Sequence, residues 1–168
     1  MYLVYLGLGS NLGDRLENLS HAVSEIQSIS KILSISSIYE TEPVDMNIEN
    51  PFLNMVIPIE TSNDAPLLLA QIKKIEKKIG RKLPSHNEPR IIDIDILMYR
   101  GVTYEDPSIT IPHPQLENRR FALQPLCEIA PTAVHPRSQK TIATLLRNCR
   151  DSHKVTQTDY NINFSITN

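Results

Sequence analysis

A chain of 168 residues with 17 Lys and Arg against 19 Asp and Glu has a formal net charge of −2, so it lacks the basic field that drives nucleic-acid binding by counterion release. Its apolar runs are too short to cross a bilayer and its start lacks the charged region of a signal peptide, so one non-membrane domain over 1–168 is expected. Two cysteines without metal-ligand spacing, Cys127 and Cys149, suit reduced thiols in a cytoplasmic protein.

YLVYLGL (2–8) is apolar on both faces, which predicts a strand central in a sheet. GLGSNLGDR follows and holds three of the five glycines, Gly7, Gly9 and Gly13. A strand, a turn and a helix suit a phosphate loop, but Leu12 stands where G-x-G-x-x-G needs its third glycine and no Lys-Ser/Thr pair follows. Leu16, Leu19, Val23, Ile26 and then Ile29 keep helical spacing behind an Asp14–Glu17 capping pair. Residues 32–42 are rich in β-branched residues and Ser and predict a strand ending at Glu42-Pro43, before a polar loop over 44–51. FLNMVIPIET (52–61) predicts a strand in which Pro58 marks an edge or a bulge.

A second helix is capped by Asp64, takes Pro66 in its first turn, continues through Ile72, Ile75, Glu76 and Ile79, and ends at Gly80. A polar loop over 81–90 leads to IIDIDILMY (91–99), again apolar on both faces, and Gly101 turns the chain. Then come a short extended piece at 109–111, the restricted Pro112-His113-Pro114, and helices near 118–130 and 141–148. Residues 153–168 are polar and predict a loosely held tail. Strand, helix, strand, strand, helix, strand is the split β-α-β order, so a ferredoxin-like core is expected.

Asp93 and Asp95 carry the most chemical information. Residues two apart on a strand share a face, roughly 6 to 7 Å apart at Cα. Strict alternation puts Ile91, Leu97 and Tyr99 with the aspartates, and Ile92, Ile94, Ile96 and Met98 opposite. An isolated D-x-D equally suits a strand with one wet face, but these apolar companions argue against full solvation. Two partly buried carboxylates repel each other and lose hydration unless protons or cations compensate. Mg²⁺ is the natural cation, since it prefers oxygen ligands and shares its shell with waters and phosphates. Two such ions about 3.5 to 4 Å apart fit two aspartates on one strand face.

Arg81 and Arg90 precede the pair, and His113, Arg119 and Arg120 follow it. Singly each Arg suits a solvated surface; together with the acidic pair the five cations suggest a polyphosphate clamp.

Taken together, GLGSNLGDR, Y-x-T-x-P (39–43), FLN (52–54), PRIIDIDIL (89–97) and PHPQLENRRF (112–121) resemble the 6-hydroxymethyl-7,8-dihydropterin pyrophosphokinases of the folate pathway. The likeness runs in order from Leu6 to about Pro131. It implies an α+β, three-layer αβα fold with a mainly antiparallel sheet. It also implies transfer of the β,γ-pyrophosphate of ATP to the pterin's hydroxymethyl oxygen, with release of AMP. Asp93 and Asp95 match the ligands of two Mg²⁺ ions. Arg81, Arg90, His113 and Arg119 match triphosphate contacts, with Glu76, Ile96 and Thr110 near the nucleoside. Thr41, Pro43, Val44 and Asn54 match the pterin side, where Phe52 and Phe121 would sandwich the ring.

On their own terms Phe52 and Phe121 equally suit a core. A flat heterocycle does want two aromatic faces, and Asn54 offers a donor and an acceptor to an amide-like edge. The loop before the aspartates reads His86-Asn87-Glu88-Pro89-Arg90, without the Trp and Gly common in that family. Gly7 and Gly9 are expected to bring backbone close to the pterin, with Ser10 and Asn11 lining that end and Gly13 making the turn. Two other readings stay open: another two-metal phosphoryl or nucleotidyl transferase, and a non-catalytic binding module of the same topology. Association with other folate-pathway enzymes also stays open.

Overall fold

The computed structural model describes residues 1–42, 50–80 and 89–165. The roles expected of Pro43, Val44 and Arg81 therefore lie outside the described residues.

The chain runs β1 (Tyr2–Ser10), α1 (Arg15–Gln27), β2 (Lys31–Ile32), β3 (Tyr39–Thr41), β4 (Phe52–Thr61), α2 (Ala65–Ile79), β5 (Asp93–Tyr99), β6 (Tyr104–Glu105), β7 (Thr110–Ile111), a 3₁₀ turn (Leu116–Asn118), α3 (Arg120–Ile129), α4 (Ile142–Asn148) and β8 (Val155–Gln157). The main sheet has the order β5-β1-β4-β3-β8, with β2 also on β4, and each of its strand pairs is antiparallel. β1 is central, as its two apolar faces predict. Helices α1 and α2 cover one face and α3 and α4 the other, giving three layers around a ferredoxin-like core.

The caps act as their residue types dictate. Glu17 N–H donates to Asp14 Oδ1 at 3.0 Å and Leu67 N–H to Asp64 Oδ1 at 3.1 Å, each satisfying one of the orphan donors of a helix start. Gly80 closes α2 at φ 110°, a left-handed conformation that side chains resist. The face of α1 facing the sheet buries Leu19, Ala22, Val23 and Ile26. Full burial of such an aliphatic side chain contributes about 1.5 to 3 kcal/mol.

Two strands depart from the sequence expectation. Pro58 lies in the interior of the sheet, between β1 and the 31–41 segment, and not at an edge. The register of Ile32 opposite Ile59 puts Leu33 opposite Pro58. Leu33 N–H donates to the Pro58 carbonyl at 2.9 Å, but proline has no N–H to return. The predicted 32–42 strand is thereby split into β2 and β3.

The second departure is in β5. Leu6 pairs with Ile96 but Tyr5 pairs with Met98, so one extra residue is inserted in β5. Such a bulge switches the faces of the residues beyond it. Leu97 and Met98 both pack toward α3, and Tyr99 joins Ile92, Ile94 and Ile96 in the core under α1 and α2. Strict alternation therefore fails for Met98 and Tyr99.

The expected loose tail is also corrected in part. Val155–Gln157 pair with Tyr39–Thr41 as β8, and Ile162 is buried in the α1–α2 core.

Candidate active site

Where β1, β4 and β5 meet α3 and the turn before it, the sheet's second face opens into a cavity of about 900 Å³. It brings together Thr41, Phe52, Asn54, Arg90, Asp93, Asp95, His113, Arg119 and Phe121, all expected at the site. One end is charged and the other is aromatic and amide-lined.

At the charged end Asp93 and Asp95 stand on β5 opposite Gly9 and Gly7 of β1. Arg90 Nη1 lies 2.7 Å from Asp93 Oδ2, and Arg119 Nη1 3.8 Å from Asp95 Oδ2. Burial, and then the Asp93 charge, push the Asp95 carboxyl above its ordinary range; Arg119 and Lys73 only partly offset this. The two carboxylates thus stand together as like charges at a cost.

Arg90 owes its position to the glycine-rich stretch. Its backbone N–H donates to Asn11 Oδ1 at 2.6 Å, and Asn11 N–H donates to the Arg90 carbonyl at 3.0 Å. Ser10 is buried and accepts from Asn18 Nδ2 at 3.1 Å. Ser10 and Asn11 therefore tie the end of β1 and, contrary to the sequence expectation, do not line the cavity.

His113 is held by its own N–H, which donates to the Leu97 carbonyl at 2.8 Å. Its Nδ1 accepts from Gln115 N–H at 3.1 Å, which leaves the ring proton on Nε2. Burial, reinforced by Arg119, lowers its pKa to about 4, so the ring is neutral near pH 7 and offers a donor at Nε2. Arg120 also leaves the expected cluster: its guanidinium donates to the carbonyls of Asp151 and Cys149 at 2.9 and 3.0 Å. Among the described residues, Arg90 and Arg119 are the arginines that line the cavity.

The other end is built on glycine. A Cβ on Gly9 would lie 2.7 Å from Asn54 Oδ1 and 3.6 Å from Phe52. Only a residue without a side chain lets Asn54 lie across β1. Asn54 Nδ2 donates to Thr41 Oγ1 at 2.7 Å, which fixes the amide orientation. Phe121 also lines this cavity and carries the Arg119 guanidinium 5.7 Å over its ring, linking the aromatic and charged ends.

Glu76, Ile96 and Thr110 do not line this cavity. Ile96 belongs to the α1–α2 core and Thr110 is half-buried on β7. Glu76 is 2% exposed, and its Oε1 accepts the N–H of Ile94 at 2.8 Å while Oε2 meets Lys73 Nζ at 2.8 Å. It thereby fixes the residue between the two aspartates.

Gln115, Asn118, Asp151 and His153, which the sequence expectation does not include, also line the cavity. Gln115 and Asn118 sit inside the quoted PHPQLENRRF, so their motif was a usable signal. Asp151 and His153 sit in a polar stretch with no periodicity and gave none.

The residues available for a metal are two carboxylates on one strand face. Among the described residues no group of three or more His, Cys, Asp or Glu could enclose one. That set fits a hard cation that takes its remaining ligands from water and phosphate.

The family model of 7,8-dihydro-6-hydroxymethylpterin-pyrophosphokinase matches residues 5–131. The 2-amino-4-hydroxy-6-hydroxymethyldihydropteridine pyrophosphokinase of Aquifex aeolicus is 41% identical over 142 residues, 84% of this chain and 89% of that one. The Bacillus subtilis protein of the same name is 38% identical over 129 residues, 76% and 77% of the two chains. Folic acid synthesis protein fol1 of Schizosaccharomyces pombe is 38% identical over 86% of this chain, which spans only 20% of that longer protein. The crystal structure of Plasmodium falciparum HPPK-DHPS with pteroate matches at a TM-score of 0.72 and 18% identity. That match covers 87% of this chain and 44% of the other, and it supports the fold alone. The extent of the family match and the Aquifex identity decide membership: the chain belongs to the 7,8-dihydro-6-hydroxymethylpterin-pyrophosphokinase family.

Proposed function

We propose that this cavity is where the chain transfers pyrophosphate from ATP to 6-hydroxymethyl-7,8-dihydropterin, a step of folate biosynthesis. The observation that carries the reading is the junction of Asp93, Asp95, Arg90 and Arg119 with a slot holding Phe52, Asn54 and Phe121 in one cavity. A general phosphoryl transferase would use the first set and have no need of the second. A non-catalytic module would leave the costly aspartate pair without purpose.

In the reaction, the pterin's hydroxymethyl oxygen attacks the β-phosphorus of ATP. The bond from that phosphorus to the α,β-bridging oxygen breaks, AMP departs with the electron pair, and the hydroxyl proton is lost to water. Asn54, oriented by Thr41, pairs with the heterocycle's amide edge, and Phe52 and Phe121 hold its faces. Arg90 and Arg119 bind phosphate oxygens and stabilise charge on the transferring group. His113 donates from Nε2. Asp93 and Asp95 would hold the metal; two Mg²⁺ ions, when bound, supply the charge neutralisation that brings triphosphate and carboxylates together. Thr110, which keeps some exposed surface on β7, is the proposed nucleoside contact, whereas Glu76 acts by positioning β5. Positioning and electrostatics supply most of the rate.

No described helix is long and apolar enough to cross a membrane. Cys127 and Cys149 are free thiols, which supports a reducing, cytoplasmic setting.

The test is product identity. With Mg²⁺, ATP and the hydroxymethyl pterin, AMP and the pterin diphosphate should form in equal amounts. Formation of ADP or of free pyrophosphate would favour the general transferase, and no nucleotide turnover with any divalent metal would favour the binding module.

A further inference from the structure

Asp151 and His153 line the cavity although they lie beyond residues 5–131, the extent of the family match. Two anchors bring them there. On one side β8 runs along β3, with Val155 opposite Thr41, and Glu42 N–H donates to the Lys154 carbonyl at 3.4 Å. Residue 153 is thus held near the Thr41 end of the cavity. On the other side Arg120 N–H donates to Asp151 Oδ2 at 2.9 Å, while its guanidinium takes the carbonyls of residues 149 and 151. Arg120 adjoins Phe121, so this second anchor also lies at the aromatic end.

The two side chains form an ordered pair. The Asp151 side chain is 9% exposed, and its Oδ1 accepts from His153 N–H at 3.0 Å and from His153 Nδ1 at 2.5 Å. Burial pushes the Asp151 carboxyl up, but the hydrogen bonds from His153 and from Arg120 N–H outweigh it and hold the pKa below the ordinary value. An ionised carboxylate only accepts, so Nδ1 must carry a proton toward it. Nδ1 is thereby committed to Asp151, and Nε2 is the ring atom left to meet a ligand. No described residue hydrogen-bonds that atom. The bonds of Arg120 to Asp151 and Cys149 fasten the segment to α3, while the imidazole is about two-fifths exposed in the cavity.

We propose that His153 is a binding residue of the acceptor site and Asp151 its positioning partner. Nε2 makes a hydrogen bond to the polar edge of the flat nitrogen heterocycle held between Phe52 and Phe121. The C-terminal segment thereby supplies a specificity element that the 5–131 region lacks. This inference rests on the acceptor-site reading given above.

The experiment compares the full-length protein with His153→Ala and His153→Gln in three measurements: steady-state AMP formation, melting temperature, and calorimetric titration of the dihydropterin in the presence of a non-hydrolysable ATP analogue and Mg²⁺. Loss of one hydrogen bond of ordinary strength corresponds to about a three- to tenfold change. His153→Ala should raise both the KM and the Kd for the pterin by that factor, with kcat, the KM for ATP and Tm unchanged. His153→Gln, whose side-chain amide can donate or accept, should recover most of the loss. Pterin KM and Kd within twofold of wild type in His153→Ala would overturn the proposal. So would a loss that Gln does not recover and that comes with a lower Tm, which marks a structural staple. Failure of the wild-type protein to form AMP would instead strike the function reading, and the Kd comparison would still decide the role of His153.

Discussion

The two faces of the sheet are built to opposite specifications. Under α1 and α2, Leu6, Leu8, Ile57, Ile59, Ile94 and Ile96 pack against Leu19, Ile26, Leu68 and Ile72 in one continuous dry core. Toward α3 the same strands present Gly7, Gly9, Asn54, Asp93 and Asp95, and close packing resumes only further along, around Tyr5, Val56, Leu97 and Met98. Each strand through the site thus has one face committed to stability and one that gives up packing for a cavity. The bulge in β5 marks the boundary, because beyond it the second face is apolar again. A domain of this size tolerates the loss because its first core is whole.

The largest departure from wild type should come from Asp95→Asn, which keeps shape and removes charge. Loss of one electrostatic group acting on the transferring phosphate lowers kcat by about 10² to 10³, measured as AMP release. Because that carboxylate is destabilised by burial and by Asp93, Tm in EDTA should not fall. Next, Ile72→Ala on the dry face should cost about 2 to 5 kcal/mol of stability in denaturant unfolding and leave both KM values unchanged at a temperature where the variant is folded. A change in KM there would break the division between faces. Gly9→Ala should be milder. Its Cβ would lie 2.7 Å from Asn54 Oδ1, so the amide must move and the KM for the pterin should rise about tenfold, the scale of one displaced neutral hydrogen bond.

The smallest effect belongs to a turn outside both faces. Asp106 is held at a pKa of about 2 by hydrogen bonds from the side chains of Ser108 and Tyr104 and from the Ser108 and Ile109 N–H groups. A depressed carboxylate contributes stability that is present above its ordinary pKa of 3.8 and is lost as pH falls through about 2. Asp106→Asn should flatten the fall of Tm below pH 4 slightly and leave AMP formation at neutral pH untouched.

Sequence patterns reached the helices most fully, because Asp14, Asp64, Pro66 and Gly80 act within one turn of where they stand. They reached the ferredoxin-like order for the same reason, since it follows from element type alone. Pro58 misled because the cost of its missing N–H depends on which neighbour faces it, and that neighbour, Leu33, is remote in sequence. Met98 and Tyr99 misled because a bulge is a property of a strand pair, not of one strand. Much of the cavity's lining was legible from motifs that keep their residues at fixed spacing: Asp93 and Asp95, Arg90, His113, Arg119 and Phe121. The charge state of His113 was not, because burial and Arg119 decide it. Neither was the turning of Arg120 toward Asp151, nor the arrival of His153 at the cavity through a strand pairing across more than a hundred residues.

The most direct test of the division within the cavity is AMP release measured against pterin concentration for Asp95→Asn and Asn54→Ala in one assay. Asp95→Asn should lose kcat, whereas Asn54→Ala should keep most of kcat and raise the KM for the pterin. Near-wild-type kcat in Asp95→Asn, or an Asn54→Ala protein with an unchanged pterin KM, would contradict the account.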